Sequence, residues 1–370
     1  MAIDILTLVS FRNHKKEKFS FCKGVTVIWG ENGSGKTSIL EAIHVLTYGK
    51  SFKTHKQGSL VKKGDLSSIV KGSFSRLGRV ENVAVQIEKN SASKIKINKK
   101  LISSRKELIG RNNVVVLSPE EQPITKGAPV ERRQFFDKMF SVSNIEYINN
   151  LQKYNRILKQ RNAALLDIRE GRMKVEQLTA WDDLLITSAE SLWLLRKKHI
   201  TLFKSVFNSF MQKYDKGLSI KILYKEEIPK REEIENRLKK DQKKDIIRAR
   251  TSFGPHRDDV KILWDDRDIR DFGSQGEHKL TLVLLKVSEM SFVKENTGIY
   301  PILLLDDLFA KLDLERSKKI VTLLSNLKSS TGDLVQTIIT TTDLLNVENS
   351  GLLKKENEFT TYRLERECNT

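Results

Sequence analysis

Cysteine and proline are scarce in this sequence, and long apolar runs are missing from it. Cys22 and Cys368 are the only cysteines among 370 residues, and they stand in no metal-ligand spacing. We therefore expect neither a disulfide scaffold nor a zinc site held by cysteines. Instead, we expect the protein to work in a reducing compartment. No apolar run approaches the roughly 20 residues of a membrane-spanning helix. The first residues, MAIDILTLVSF, alternate like a strand and lack the layout of a signal peptide. We expect a cytoplasmic protein without a membrane partner.

Negative charge is also in short supply. The 66 Lys and Arg residues outnumber the 47 Asp and Glu residues, which gives a formal net charge of +19. Such an excess favours a polyanionic partner, with nucleic acid as the first candidate and an anionic membrane surface as the second. A basic protein without any such partner is the third possibility. The remaining composition is globular, and the length allows one large domain or two.

The segment GENGSGKT at residues 30–37 fits the P-loop pattern G-x-x-x-x-G-K-[ST]. The apolar run VTVIW before it predicts a buried strand, and KTSILEAIHVLTYG after it predicts a helix with one apolar face. Strand, glycine loop and helix form the context in which this motif binds phosphate, although a plain glycine-rich turn is the alternative. We predict that eight residues bind nucleotide: Gly30, Glu31, Asn32, Gly33, Ser34, Gly35, Lys36 and Thr37.

The chemistry of this loop follows from its residue types. Glycines let successive backbone N–H groups point inward as an anion nest, at the positive end of a helix. Lys36 would reach the β- and γ-phosphates of ATP, and Thr37 would offer its hydroxyl to Mg²⁺.

A pair of carboxylates follows the continuous apolar run IYPILLL at residues 299–305. Such a run predicts a central parallel strand, whose carboxyl end is the edge at which ligands bind in open α/β sheets. Asp306 would hold Mg²⁺, and Asp307 would orient the attacking water or accept its proton. Asp307 and Lys36 are thus the predicted catalytic residues. Two exposed loop aspartates are the alternative.

Between these motifs the spacing of apolar residues changes from a strand pattern to a helix pattern. Residues 52–118 predict antiparallel β-structure, in which KIKINKK is either a basic hairpin tip or an edge strand protected by lysines. From residue 131 the period is helical, and a heptad seam predicts an antiparallel helical hairpin with arms of about 40–60 Å. The charge-dense residues 225–250 are either a solvated connector or part of a DNA-facing surface. The seam consists of Leu178, Trp181, Leu185, Ser188, Leu192, Leu195, His199, Leu202 and Val206.

The segment FGSQGE at residues 272–277 precedes another helix with an apolar face. Ser274 and the backbone amides at the helix start form either a second anion-binding end or an ordinary serine N-cap. Because one nucleotide does not need two such helix starts, we expect this one to meet the ATP held by another subunit.

In order, GENGSGKT, SQGE, LLLDD and AKLD are similar to the Walker A, signature, Walker B and D-loop motifs of ABC-type ATPase heads. With FRNH, SFKT, GAPVERRQFFD and FGPHRDD, the sequence resembles the bacterial RecF family, relatives of the SMC ATPases, over nearly its whole length. The resemblance implies an α/β fold, namely an ABC-type P-loop ATPase head of mixed sheet with an antiparallel β subdomain, plus an inserted short antiparallel helical hairpin arm. The expected domains are residues 1–130 and 251–370 for the two parts of the head, and residues 131–250 for the arm.

The same resemblance implies a weak, DNA-stimulated ATPase that acts as a switch in recombinational repair, DNA replication and the SOS response to DNA damage. ATP and Mg²⁺ would drive homodimerisation on double-stranded or gapped DNA, and the dimer would help RecR, with RecO, to load RecA. The nucleotide-binding subunit of a membrane transporter is the alternative, and a small-molecule kinase fits less well. Further nucleotide contacts are expected from Arg12, Ser274, Gln275, Gly276 and, at the dimer seam, Asp313.

Three positions depart from the motifs of related ATPases. Glu277 replaces glutamine in the signature, which places a negative charge near the phosphate-gripping loop. Asp307 stands where transporters have glutamate, and its shorter side chain predicts slow hydrolysis. Near the position where transporters carry the switch histidine, this sequence has Thr341, Thr342 and Asp343. No Q-loop glutamine is assigned, since in SPEEQPITKG the residues Glu120 or Glu121 align more naturally than Gln122.

Overall fold

The computed structural model describes residues 1–307, 314–328, 335–353 and 358–365. Contacts divide the chain into two compact units, residues 1–122 with 210–216 and 282–370, and residues 123–209 with 217–281. The three-part division expected from the sequence stays a prediction. Within the described ranges, no helix is long and apolar enough to span a membrane.

The described segments contain fourteen strands and ten α-helices. The strands are β1 (Ala2–Phe11), β2 (His14–Ser20), β3 (Val25–Gly30), β4 (Ser67–Arg76), β5 (Arg79–Glu88), β6 (Lys94–Ile97), β7 (Lys100–Leu101), β8 (Val114–Leu117), β9 (Ile220–Leu223), β10 (Lys261–Trp264), β11 (Arg267–Asp268), β12 (Ile302–Asp306), β13 (Thr337–Thr341) and β14 (Phe359–Leu364). The helices are α1 (Lys36–Tyr48), α2 (Pro123–Lys126), α3 (Pro129–Ser143), α4 (Ile145–Arg169), α5 (Thr179–Tyr214), α6 (Arg231–Arg248), α7 (Ile269–Phe272), α8 (Gln275–Thr297), α9 (Leu314–Ser325) and α10 (Leu344–Asn349).

A five-stranded parallel sheet forms the centre of the first unit, in the order β14-β3-β13-β12-β8. Every residue of β8, β12 and β13 is buried, as the apolar runs of a parallel sheet covered on both faces require. The predicted strands before the P-loop and before the paired aspartates are β3 and β12, with β13 between them. Their carboxyl ends therefore meet at one edge of the sheet.

A six-stranded antiparallel sheet accompanies it, in the order β2-β1-β4-β5-β6-β7. The polar segment HKKEKFS, which gave no strand signal, is its edge strand β2, with His14 and Phe19 buried and the lysines outward. Asn98 and Lys99 have φ of 48° and 70° between β6 and β7, as a two-residue type I′ turn requires. The KIKINKK segment therefore forms a hairpin tip, and β7, which begins at its last lysine, is also the edge strand of the sheet, so the two interpretations hold together.

The second unit contains the predicted antiparallel helix pair. Tyr147 of α4 contacts Arg196 of α5, and Arg161 farther along α4 pairs with Asp182 at the beginning of α5. The contacts run in opposite directions along the two helices, which makes the pair antiparallel. With 25 and 36 residues, α4 and α5 measure about 38 Å and 54 Å at 1.5 Å per residue.

The predicted seam of α5 shifts after His199. Leu202 is 47% exposed, whereas Phe203 and Phe207 are fully buried. A straight helix drifts by about 20° per heptad relative to a 3.5-residue repeat, so the buried stripe moves by one residue. Aromatic packing fixes the new position, because the Phe203 ring lies against those of Phe135 and Phe136.

The segments after the helix pair include a further small antiparallel sheet and a helix. KILW is β10, and it pairs antiparallel with β9 and β11 in a separate three-stranded sheet. The charge-dense segment forms α6, which buries Ile234 and Leu238 and packs against α4. Its opposite face exposes Lys239, Lys240, Lys243 and Lys244.

The FGPHRDD segment supplies a buried carboxylate to the second unit. Asp258 accepts hydrogen bonds from the Trp193 indole at 2.6 Å, the Tyr224 hydroxyl at 2.6 Å and the Arg196 guanidinium at 3.2 Å, and Lys225 pairs with it at 2.9 Å. One side chain thus satisfies donors from α5 and from the residues that follow β9. The network gives Asp258 of this motif a structural role.

We expect Asp258→Ala to destabilise the protein by about 3–5 kcal/mol, because it leaves buried donors and a buried guanidinium short of a partner. The midpoint of thermal unfolding should fall by on the order of 10 °C. Asp266→Ala is the control, since Asp266 is 70% exposed and its pair with Lys221 is worth less than about 1 kcal/mol. Equal shifts in the two variants would contradict the role of the buried network.

Candidate nucleotide-binding site

The P-loop joins β3 to α1 and depends on its glycines. Gly30 has φ of 150°, and a Cβ there would lie 2.2 Å from the Leu364 carbonyl oxygen of β14. Gly35 caps α1 with φ of 99°, and a Cβ there would lie 2.5 Å from the Asn13 amide. Both a left-handed backbone and close neighbours exclude larger residues at these positions.

Lys36 lies within this loop. Its ammonium donates to the carbonyl oxygens of Gly30 at 2.8 Å and Glu31 at 2.7 Å. Burial lowers the pKa of the Lys36 ammonium, and the nearby carboxylates of Asp307 and Asp306 oppose that shift. The single cation of the loop therefore sits between the carbonyls of the P-loop and the paired carboxylates at the end of β12.

The carboxylate of Asp306 is bonded to the P-loop threonine. The Thr37 hydroxyl donates to Asp306 at 2.8 Å, although the two residues are 269 positions apart, and the Thr340 hydroxyl of β13 donates at 2.5 Å. Burial raises the pKa of the Asp306 carboxyl, against the lowering effect of the Thr340 and Thr37 hydrogen bonds. A cation at this position would hold the carboxyl in its ionised form.

Two further carboxylates leave an oxygen without a hydrogen bond beside this pair. Glu120 Oε2 and Asp307 Oδ1 are buried and have no partner among the described residues. Glu120 faces Asp306, since its charge raises the Asp306 pKa, and it pairs with Lys53 at 3.4 Å. Hydroxyl and carboxylate oxygens are the ligands that Mg²⁺ prefers.

No group of three or more His, Cys, Asp or Glu side chains in the described ranges is arranged to hold a metal ion by itself. Mg²⁺ needs no such group, because it commonly binds through one or two protein ligands together with phosphates and water. Thr37 and Asp306 therefore fit a magnesium ion bound with a nucleotide.

Asp307 has a left-handed backbone, with φ of 51°. Its N–H donates to the Thr340 carbonyl at 3.0 Å, which holds the residue just beyond β12. Non-glycine residues in this conformation are uncommon and cluster at functional sites. The predicted role of Asp307 toward water stays a prediction.

The FRNH turn between β1 and β2 packs against the P-loop and α1. His14 Nε2 lies 3.1 Å from the Gly35 carbonyl, and the Arg12 guanidinium forms two bonds of 2.7 Å with the buried carboxylate of Glu41. The family resemblance predicted that Arg12 contacts the nucleotide. The structure places it beside the nucleotide-binding helix in an ion pair, and its contact with ATP stays a prediction.

The signature segment begins α8 with a reciprocal pair of bonds. The Ser274 N–H donates to the Glu277 carboxylate at 2.7 Å, and the Glu277 N–H donates to the Ser274 hydroxyl at 3.3 Å. This is the capping box S-x-x-E, a signal that the sequence carried and that explains glutamate at this position. Ser274 and Gln275 are exposed, and Gly276 is half-buried. The segment is thus accessible to another molecule.

The remaining predicted positions are distributed as follows. Asp313 lies outside the described residues. Glu121 pairs with the buried ammonium of Lys286, whereas the charge of Glu120 acts on Asp306. Thr341 and Asp343 bond each other before α10, and Asp343 caps that helix.

Sequence reasoning missed three residues of the site. Thr340 and Glu41 have no motif of their own, and His14 of the FRNH segment begins strand β2 after a turn whose shape the sequence does not show. The polar end of the apolar strand β13 was the available signal for Thr340, because β13 lies between the two strands that carry the motifs.

Comparisons with known proteins agree with this geometry. The RecF/RecN/SMC N terminal domain model matches residues 2–361. The DNA replication and repair protein RecF of Clostridioides difficile (strain 630) is 33% identical, with 96% of this chain and 99% of that protein covered. The chain belongs to the RecF family. A RecF from Agathobacter rectalis (strain ATCC 33656) is 34% identical over 93% of both chains.

Solved structures share this fold. A recombination mediator protein RecF–ATPrS of the RecFOR pathway superposes with a TM-score of 0.83 at 30% identity, covering 98% of this chain and 96% of that one. An Smc head bound to the C-winged helix domain of ScpA has a TM-score of 0.55 at 19% identity and covers 94% and 91%. The second likeness shows the fold alone. The expected α/β class is confirmed, and the described residues form both parallel and antiparallel sheets.

We expect Glu277→Ala to loosen the start of α8, because the variant loses the acceptor of the Ser274 N–H. A lost cap costs about 1 kcal/mol, so hydrogen exchange at this amide should rise about five-fold. Glu277→Gln keeps an acceptor oxygen and should exchange like the wild type. Hydrogen-exchange mass spectrometry of peptides covering residues 272–280 measures the difference. Equal exchange in all three proteins would contradict the capping box.

Proposed function

We propose that this chain is an ATP-dependent DNA-binding protein of recombinational repair and a weak, DNA-stimulated ATPase. ATP draws two copies together on double-stranded DNA or at gap edges, and slow hydrolysis resets them. The observation that carries the proposal is the 2.8 Å bond between Thr37 and Asp306, because it unites the two halves of a magnesium–nucleotide site from distant segments. The relatives named RecF and the RecF–ATPrS structure support it.

Each side chain of the site has a distinct task in this proposal. Lys36 binds the β- and γ-phosphates by exchanging its two loop carbonyls for phosphate oxygens. Thr37 and Asp306 hold Mg²⁺, which supplies positive charge to the phosphates when it is bound. Asp307 orients water or accepts its proton, and its buried oxygen without a partner among the described residues is free for that bond. Its short side chain favours slow turnover.

Dimerisation follows from the exposed signature segment. Ser274 and Gln275 are exposed at the start of the 23-residue helix α8, where backbone N–H groups favour a phosphate. In the dimer, Gly276 and Asp313 would complete this surface, and Arg12 would add a cation after leaving Glu41. Because both copies would bind the γ-phosphate, its loss would remove the preference for the closed state.

DNA binding is supported by charge in particular places. The net charge is +19, and the exposed face of α6 carries Lys239, Lys240, Lys243 and Lys244 within about 8 Å of helix. The structure records no ion pair for these four lysines within the described ranges. A closed dimer would present two such faces, and more phosphate contacts steepen the salt dependence of binding.

The partners and place of action follow the family. RecR, with RecO, and indirectly RecA are the proposed protein partners, and the RecFOR pathway in the description of the neighbour structures supports the first two. The proposed place of action is the cytoplasm. The comparisons do not favour the transporter-subunit alternative, since the relatives reported above are DNA repair proteins.

We expect Asp307→Asn to lower ATP hydrolysis by about 10²–10⁴-fold, the usual contribution of a general base. ATP binding should persist, so an ATP-bound dimer should accumulate. Phosphate release and light scattering with ATP measure the two effects. Asp266→Asn, at an exposed position, should behave like the wild type. Unchanged turnover of Asp307→Asn would show that another group activates the water.

We expect Ser274→Arg to block ATP-dependent dimerisation while ATP binding by the monomer is kept, because all P-loop residues are unchanged. Fluorescent nucleotide titration and light scattering measure the two properties separately. Ser205→Arg adds the same charge at an exposed position of α5 and should dimerise normally. Loss of nucleotide binding by the Ser274 monomer would contradict a site shared between two copies.

A further inference from the structure

A cavity of about 790 Å³ lies beside the SFKT segment, between the chain that follows α1 and the turn from β5 to β6. Ligand pockets commonly have volumes of this order. None of its lining residues belongs to the P-loop or to the carboxylate pair. The lining consists of Lys50, Thr54, His55, Lys56, Gln57, Gly58, Ser59, Glu88, Lys89, Asn90, Ser91, Ala92 and Arg105.

The charge of this cavity is strongly positive. Four cations line it, namely Lys50, Lys56, Lys89 and Arg105, and each side chain lacks an acidic partner within the described ranges. The one carboxylate of the lining, Glu88, already pairs with Lys94 at 3.7 Å and accepts from Gln86 at 3.2 Å. All four side chains are exposed. Several cations that line one concave surface without counter-charges attract an anion.

The wall of the cavity is held by hydrogen bonds of its own. The Gln57 amide donates to the Gly49 carbonyl at 3.1 Å and accepts from the Ser93 hydroxyl at 2.8 Å, which joins the two sides of the cavity. The Arg105 chain packs against Gly49, where a Cβ would lie 3.1 Å from Arg105 Cγ. These contacts connect the two sides of the cavity and hold Arg105 against its wall.

The kind of anion follows from what the lining offers. No Phe, Tyr or Trp is among the lining residues, so the groups of the lining that could stack on a base are limited to His55 and Arg105. It offers cations and small polar groups, which recognise phosphate. A terminal phosphate monoester carries about −1.5 to −2 charges, more than one internal phosphodiester, and it stands at the end of a strand where it can enter a concavity.

We propose that this cavity binds the terminal phosphate of a DNA strand. The proposal rests on the DNA-binding function proposed above and assigns to it a site for strand ends. A 5′-phosphate and a 3′-phosphate offer the same chemistry, and the experiment separates them. The duplex itself is bound elsewhere by its backbone, so the cavity adds discrimination between kinds of end.

The test uses the full-length protein with ATP and Mg²⁺, and gapped duplexes whose recessed ends carry a 5′-phosphate, a 3′-phosphate or hydroxyls only. Fluorescence anisotropy gives the affinity for each DNA. We expect the wild type to prefer one phosphorylated end by on the order of ten-fold, the effect of a charge-assisted hydrogen bond. The triple variant Lys56→Gln, Lys89→Gln, Arg105→Gln should lose this preference and still bind the hydroxyl-ended DNA.

The control removes the same charge from the β6–β7 hairpin, with Lys96→Gln, Lys99→Gln and Lys100→Gln, all exposed. It should weaken binding of all three DNAs alike and keep the preference. Wild-type binding without any preference would overturn the cavity proposal alone, and so would a preference that survives in the triple variant. Failure of the wild type to bind any of the DNAs would overturn the proposed function as well.

Discussion

The hydrogen bond from the Thr37 hydroxyl to the Asp306 carboxylate is the contact on which the candidate site depends. It joins the first turn of the P-loop helix to the end of a strand 269 positions later. The bond exists because β3 and β12 end at the same edge of one parallel sheet, with β13 and its Thr340 between them. The fold thus creates the site by strand order, since neither segment could hold a magnesium ion and a nucleotide alone.

Much of this arrangement could be predicted from the sequence. GENGSGKT and the run that ends in Asp306 have strong local patterns, and each pattern states both its structure and its chemistry. The strand order and the partners of Asp306 could not be read in the same way, because they depend on contacts between distant residues. Thr340 and Glu120 have no distinctive spacing, and only the sheet brings them to the aspartates.

Errors of prediction have physical reasons as well. The heptad seam placed Leu202 inward, whereas the structure buries Phe203, because helix drift and an aromatic cluster outweigh a formal seven-residue repeat. The segment of α6 showed mainly its charge, and its buried stripe of Ile234 and Leu238 was too sparse to predict a packed helix. Glu277 departs from the signature motif, and it also completes a helix cap that the motif comparison does not show. In each case local packing or capping of a helix determined the position or partner of the side chain.

The edge of the parallel sheet has a consequence for how the protein is made. β3 is synthesised among the first residues, but its two neighbours are β13 and β14, so Val25 pairs with Thr337 and with Phe359. Strand β3 therefore has no sheet neighbour until β13 and then β14 have been synthesised. Contacts between such distant residues slow folding, and an exposed apolar strand can associate with other chains meanwhile.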